Sequence, residues 1–181
     1  SDEDILLLAV GRLAARKGYG LLLKSFAIVK SSNPNCKLVI VGRGHLKKRL
    51  LKQAKSLGIS SSVYIESSMS FEELAELFRN ADLTVYPSYY EGQGLIPLES
   101  MSSGTPVVTV NHGPLPEMVD SEVGELFVMG DIKSMSSTII KEISDKESLR
   151  KKGLNGRKRV LQNFTYDIDA DRFIEIYNRI Q

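Results

Sequence analysis

Six short apolar runs, separated by longer stretches of helical periodicity, limit what this chain can fold into. They are ILLLAV (5–10), KLVIV (37–41), SVYIE (62–66), LTVYP (83–87), PVVTV (106–110) and a weaker GELFV (124–128). Five of the six are near-continuous in hydrophobicity rather than alternating, the pattern of strands covered on both faces. Between them, residues 18–32 carry Leu22, Phe26 and Val29 at helical spacing, and 45–58 carry Leu46, Leu50 and Ala54 with a Gly58 stop. Residues 70–81 open with Ser70 and Glu73 as a capping box ahead of Leu74, Leu77 and Phe78. Strands joined by helical crossovers run parallel, and the crossovers are right-handed. The sequence therefore predicts an α/β fold with an open, doubly wound parallel sheet of about six strands. Beyond residue 130 the pattern is helical throughout, in 131–144, 146–162 and 167–180, and this tail is expected to pack on the sheet. No repeat or low-complexity linker divides the 181 residues, so one domain is expected over 1–181.

Composition removes several function classes. Charged residues at 25% and hydrophobic residues at 42% suit a chain that buries a core and argue against disorder. A net charge of +2 gives no general reason to bind nucleic acid, so any basic site must be local. One cysteine, Cys36, excludes an internal disulfide, and His45 and His112 are too few to build a zinc cluster with it. A reducing compartment, the cytoplasm, is expected. No apolar run approaches the roughly 18 residues that span a bilayer, and the segment SDEDILLLAV lacks the basic flank of a signal peptide. The cluster RKKGLNGRKR (150–159) lacks interleaved aromatics for base stacking. It is read as a solvated helix face, with contact to anionic lipid as the alternative.

Ligands of a doubly wound sheet sit beyond the carboxyl ends of its strands. Four loops fall there: GRLAARKG (11–18), GRGH (42–45), SYYEGQGLIPLES (88–100) and NHGPLPE (111–117). The GRG of the second lacks the third glycine of a dinucleotide fingerprint and is read as a turn. In the third, Gly92 and Gly94 permit close backbone approach, and a helix beginning near Leu95 would point unpaired N–H groups at an anion, phosphate above all. Glu91 before that helix and Glu99 one turn inside it would border the same pocket and accept hydrogen bonds from hydroxyls. Arg12 and Lys17 would add positive charge from the first loop, the guanidinium gripping two phosphate oxygens and the ammonium acting as a point charge. Taken singly, two glutamates or two loop cations are surface decoration; together they suit a ligand with phosphates and hydroxyls, a nucleotide sugar. His45 is expected in solvent at a helix start, and Cys36 as a small apolar side chain at the start of a strand.

The runs VGRLAARKG, GRGHLKKRLLKQAKSLGI, SFEELAELFRNADLTVYPSYYEGQGLIPLESMSSGTPVVTV and GPLPEMVD resemble the family 4 retaining glycosyltransferases, within the glycosyl transferases group 1. The match is to their C-terminal, donor-binding half, one of the two Rossmann-like domains of a GT-B fold, and it extends into the closing NFTYDIDADRFIEIYNRI. The resemblance implies a hexosyltransferase domain that binds a UDP- or GDP-linked sugar without a metal and serves glycan or glycolipid synthesis. It implies that Glu91 contacts hydroxyls of the transferred sugar, Glu99 the ribose, and Arg12 and Lys17 the diphosphate. Backbone N–H groups of Gly94 and Leu95 would meet phosphate or sugar, and Gly11, Gly92, Gln93 and His112 would line the donor pocket. The segment 67–69, with Ser68 and Met69, falls where the base lies. Two positions depart from the pattern: Gln93 stands where Phe is usual, and Gly113-Pro114 stands where Gly-Gly is common, which removes one backbone donor. The acceptor-binding N-terminal domain would be missing, so this chain is expected to bind donor with little or no transfer. Peripheral membrane contact stays open and nucleic acid is not expected. The alternatives are a non-catalytic nucleotide-sugar-binding module of the same fold, or a related epimerase or phosphorylase.

Overall fold

A computed structural model describes residues 4–180. Its strands are β1 (Ile5–Val10), β2 (Cys36–Val41), β3 (Val63–Glu66), β4 (Leu83–Tyr86), β5 (Val107–Val110) and β6 (Gly124–Phe127). All pair in parallel in the order β3-β2-β1-β4-β5-β6. The helices are α1 (Tyr19–Ser32), α2 (Lys47–Ser56), α3 (Phe71–Asn80), α4 (Leu95–Ser102), α5 (Leu115–Met118), α6 (Ile132–Ile143), α7 (Lys146–Asn163) and α8 (Tyr166–Ile180). Each expected strand is present within a residue of its sequence range.

The continuous hydrophobic runs are explained by burial on both sides. Leu7 and Ala9 of β1, in register with Leu38 and Ile40 of β2, join Leu22, Leu23 and Phe26 of α1 in the larger core. Leu8 and Val10 point the other way and pack with Val41 and with Phe78 of α3. All four residues of β4 and all four of β5 are buried. The α3 cap forms as expected: the Ser70 hydroxyl accepts from the Glu73 amide at 3.1 Å and the Glu73 carboxylate accepts from the Ser70 amide at 2.7 Å. Strand order reverses between β1 and β4, which sit side by side with their connections running in opposite directions along the sheet. A crevice at that point is the usual place for a ligand.

The expectation that the tail packs on the sheet holds for α6 and α7 and fails for α8. α6 covers α1 and β6, and α7 covers α4 and β6. Lys152 of α7 reaches the Glu142 carboxylate of α6 at 2.7 and 2.8 Å and the Gly124 carbonyl of β6 at 3.2 Å, an ion pair shielded from water. α8 has no buried residue. β4 and β5 are fully buried without it.

α7 seats on the turn that follows α4 through Gly153. A Cβ there would lie 2.0 Å from the Gly104 carbonyl oxygen. Glycine to alanine inside a helix ordinarily favours folding by about 1 kcal/mol. Here Gly153→Ala is expected to lower stability by roughly 1–3 kcal/mol, because the methyl must push α7 off its neighbour. Urea denaturation gives the sign, and a stabilised variant would contradict the close packing.

Candidate functional site

The turn after β1 is the first wall of the crevice. Gly11 and Leu13 donate to the carbonyls of Val41 and Arg43, tying the β1 and β2 loops together, and residues Ala15–Lys17 then form a single 3-10 turn. That turn aims Lys17 inward, and its side chain is only 10% exposed. The Lys17 ammonium donates to the Tyr86 hydroxyl at 2.9 Å and to the Glu91 carboxylate. The hydroxyl carries the contact with Tyr86, since the ring centroid lies further off at 5.1 Å. Two segments distant in sequence, the β1 turn and the end of β4 with the loop that follows it, thus meet at one ammonium.

Charge in this cluster is nearly self-contained. Burial by itself would raise the Glu91 pKa, but hydrogen bonds with Lys17, Ser88 and Tyr86 more than offset it, so the carboxyl is held below its ordinary 4.5. The Tyr86 phenol is pushed well above its ordinary range by burial and then by the Glu91 carboxylate, and the Tyr19 phenol by the same two causes in that order. At neutral pH Glu91 is therefore a carboxylate and both phenols are neutral. Tyr86 can accept from Lys17 while its own proton is turned to Glu91, because a phenol both donates and accepts.

α4 begins at the same edge. Gly94 is its N-cap, with φ of 76° and no side-chain cap, and the first turn holds no acidic residue. A side chain at Gly94 would meet Leu115 at 2.8 Å, so the left-handed turn and the packing both call for glycine. The N–H groups of Leu95 and Ile96 lie in this first turn, where an α-helix leaves its donors unpaired, while Pro97 contributes none. Gly92 and Gln93 are exposed in the loop before it. The loop after β5 closes in from the other side: a Cβ on Gly113 would lie 3.9 Å from the Glu91 carbonyl oxygen, and His112 beside it is exposed. Arg12 is exposed at the mouth of the first loop, and its side chain makes no hydrogen bond or ion pair with the described residues.

Glu99 lines a narrow cleft of about 70 Å³ between α3 and α4, with Phe71, Leu74 and Phe78. Much of its surface stays exposed, and the partial desolvation at the cleft raises its pKa. Ser68 is exposed, Met69 packs against the α3 side of the core, and both directly precede Phe71. The segment 67–69 leads into α3, one of the two helices that border the Glu99 cleft. Lys47 donates to the Ser67 hydroxyl at 2.5 Å and Arg43 to its carbonyl at 3.1 Å, which pins the segment to the β2 loop. His45 is exposed and Cys36 fully buried, its thiol pushed up to about 12 chiefly by burial, both as expected.

Two residues of the cluster, Tyr19 and Tyr86, were not anticipated. Tyr86 ends a strand that reads as a continuous apolar run, and only its place at the carboxyl end of β4, next to the crevice, sets it apart from core.

These features define a Rossmann-like, doubly wound α/β domain, and its family is clear. The chain matches the glycosyl transferases group 1 over residues 1–159 and belongs to that family. It is 33% identical over 97% of its length to a D-inositol 3-phosphate glycosyltransferase of Thermomonospora curvata, covering 43% of that protein. Among solved structures it superposes on the sucrose-phosphate synthase of Thermosynechococcus elongatus with a TM-score of 0.89 and 28% identity, over 99% of this chain and 46% of that one. An Anabaena protein solved with UDP and glucose shares the fold with a TM-score of 0.87 at 22% identity, over 98% of this chain and 49% of that one. The chain spans less than half the length of the curated relatives it matches. Its fold is the Rossmann-like α/β domain of GT-B glycosyltransferases.

Two variants test the cluster. Tyr86→Phe removes a hydroxyl that accepts from one ion and serves the other, and is expected to cost roughly 1–3 kcal/mol in chemical denaturation at neutral pH. Glu91 binds its proton less readily folded than unfolded, so its stabilisation is present above pH 4.5 and is lost as pH falls through the lowered folded value. Glu91→Gln is accordingly expected to flatten the acid side of the stability curve below that pH, and an unchanged acid limb would remove Glu91 from the network.

Proposed function

We propose that this chain is the nucleotide-sugar-binding domain of a retaining glycosyltransferase of family 4, whose acceptor-binding domain precedes it in the full-length protein. The observation that carries this reading is the buried Lys17–Glu91 pair beside the N-terminus of α4, at the point where strand order reverses. Membership of the glycosyl transferases group 1 and the fold shared with a UDP-bound neighbour support it.

In the reaction the bond between the anomeric carbon and the nucleotide's distal phosphate breaks, and negative charge grows on the departing diphosphate. Groups already aimed at that charge lower the barrier most, since they need no reorganisation at the moment of reaction. Lys17, the exposed guanidinium of Arg12 and the N–H groups of Gly94 and Leu95 are the donors for it, so neutralisation rests on protein cations and a helix end. Glu91 accepts hydrogen bonds from the sugar's hydroxyls, with Gly92, Gln93 and His112 around it and Gly11 behind the phosphates. Glu99, with Ser68 and Met69 across the α3–α4 groove, takes the ribose and base. UDP is the favoured nucleotide and GDP the alternative. The sugar leaves with its anomeric configuration retained, delivered to an acceptor such as a growing glycan or lipid held by the preceding domain. The work of this domain is placed in the cytoplasm.

Calorimetric titration of this chain with UDP, GDP and ADP, followed by the matching nucleotide sugars, tests the reading. One nucleotide is expected to bind saturably, with affinity reduced several-fold by Lys17→Ala and no sugar transfer by the chain alone. Absence of binding to all three at millimolar concentration, or affinity unaltered in Lys17→Ala, would overturn it.

A further inference from the structure

α7 concentrates charge to a degree that the rest of the chain does not share. Its 18 residues carry seven Lys and Arg against one Glu, a net +6 against +2 for the whole sequence, which leaves −4 on everything else. The helix is held from one side only: Leu149, Gly153, Gly156 and Val160 are buried, and Lys152 and Arg159 are committed to Glu142 and to Asp120 and Glu122. The adjacent face looks outward. Positions 150, 154, 157 and 161 follow one another at helical spacing, so Arg150, Leu154, Arg157 and Leu161 form a single stripe, flanked by Lys151 and Lys158. Leu154 is 70% exposed and Leu161 59%. Among the described residues only Arg157 of the four cations has a partner, the Ser102 carbonyl at 3.1 Å.

We propose that this outward face of α7 docks the domain on the surface of an anionic lipid bilayer. Four cations surrounding two exposed leucines match such a surface in both respects. The leucines enter the boundary between headgroups and acyl chains, and the cations meet lipid phosphates. A groove of about 540 Å³ borders Lys151 and Lys158 on the side away from the leucines, where Ser148, Asn155 and Gln162 face Ser121 and Glu122, and it gives headgroups room beside the helix. No helix among the described residues is long and apolar enough to cross a membrane, so the contact is one of docking at the surface. Nucleic acid fits the face less well, because the cations surround aliphatic side chains with no aromatic on which a base could stack. α8 lies outside the docking surface: Asp167, Asp171 and Glu175 make its polar side acidic.

Co-sedimentation of the chain with vesicles tests the inference. Vesicles of phosphatidylcholine with an equal amount of phosphatidylglycerol are expected to bind the chain, with binding reduced by added salt, while phosphatidylcholine alone binds it far more weakly. Replacing Arg150, Lys151, Arg157 and Lys158 together with Gln is expected to weaken binding by more than about tenfold. Leu154→Ser with Leu161→Ser weakens it several-fold, and Glu147→Lys, which removes the one acidic group on this face, strengthens it. All these side chains are exposed, so thermal melts of the variants should overlay that of the parent. Equal binding to both vesicle types, or binding indifferent to the four Gln substitutions, would overturn the proposal. So would an RNA hairpin bound more tightly than the anionic vesicles at the same salt.

Discussion

Everything else in this molecule depends on β1 being paired on both edges and covered on both faces. β2 and β4 flank it in the sheet, Leu7 and Ala9 face the α1 side, and Leu8 and Val10 face the α3 side. A strand so placed has no freedom to shift register, because a slip of one residue would exchange its two packed faces. Its carboxyl end is therefore a fixed point from which the turn carrying Lys17 is projected. The next element of the same face, β4, ends alongside it and delivers Tyr86 and the loop bearing Glu91. A rigid scaffold with ligand-facing loops at one edge is the arrangement by which α/β domains combine stability with a site.

The site spends some of that rigidity on holding a charged group away from water. An ammonium in this position is tolerable because Glu91 neutralises it and Tyr86 satisfies a further donor. Burial of the two ions alone does not make a strong case for stability, since desolvation offsets much of their attraction. On the proposed reading the pair is equipment: a cation and a carboxylate kept beside a helix N-terminus, one for phosphates and one for hydroxyls.

Much of this was legible in the order of residues. The continuous hydrophobicity of residues 5–10, 83–87 and 106–110 could only belong to strands buried on both sides, and the helices between them imposed parallel pairing. Ser70 with Glu73 announced the start of α3, and the loops bearing Lys17 and Glu91 were placed at one edge of the sheet, where the two side chains meet. Other features were hidden for definite reasons. Tyr86 looks like core in a run of core residues, and its hydroxyl acquires meaning only from Lys17, which is remote in sequence. α8 has the stripe of a packed helix, yet whether any surface remains for it depends on what the preceding helices have already covered.

Sequence by itself determined the class of fold and the family, because hydrophobic period, caps and glycine positions act locally and leave their mark residue by residue. Tertiary structure decided which of the charged side chains meet. The pairing of Lys17 with Glu91 and the isolation of a basic face on α7 arise from how helices settle on the sheet. Those outcomes are set by packing between segments far apart in the chain, which local patterns do not encode.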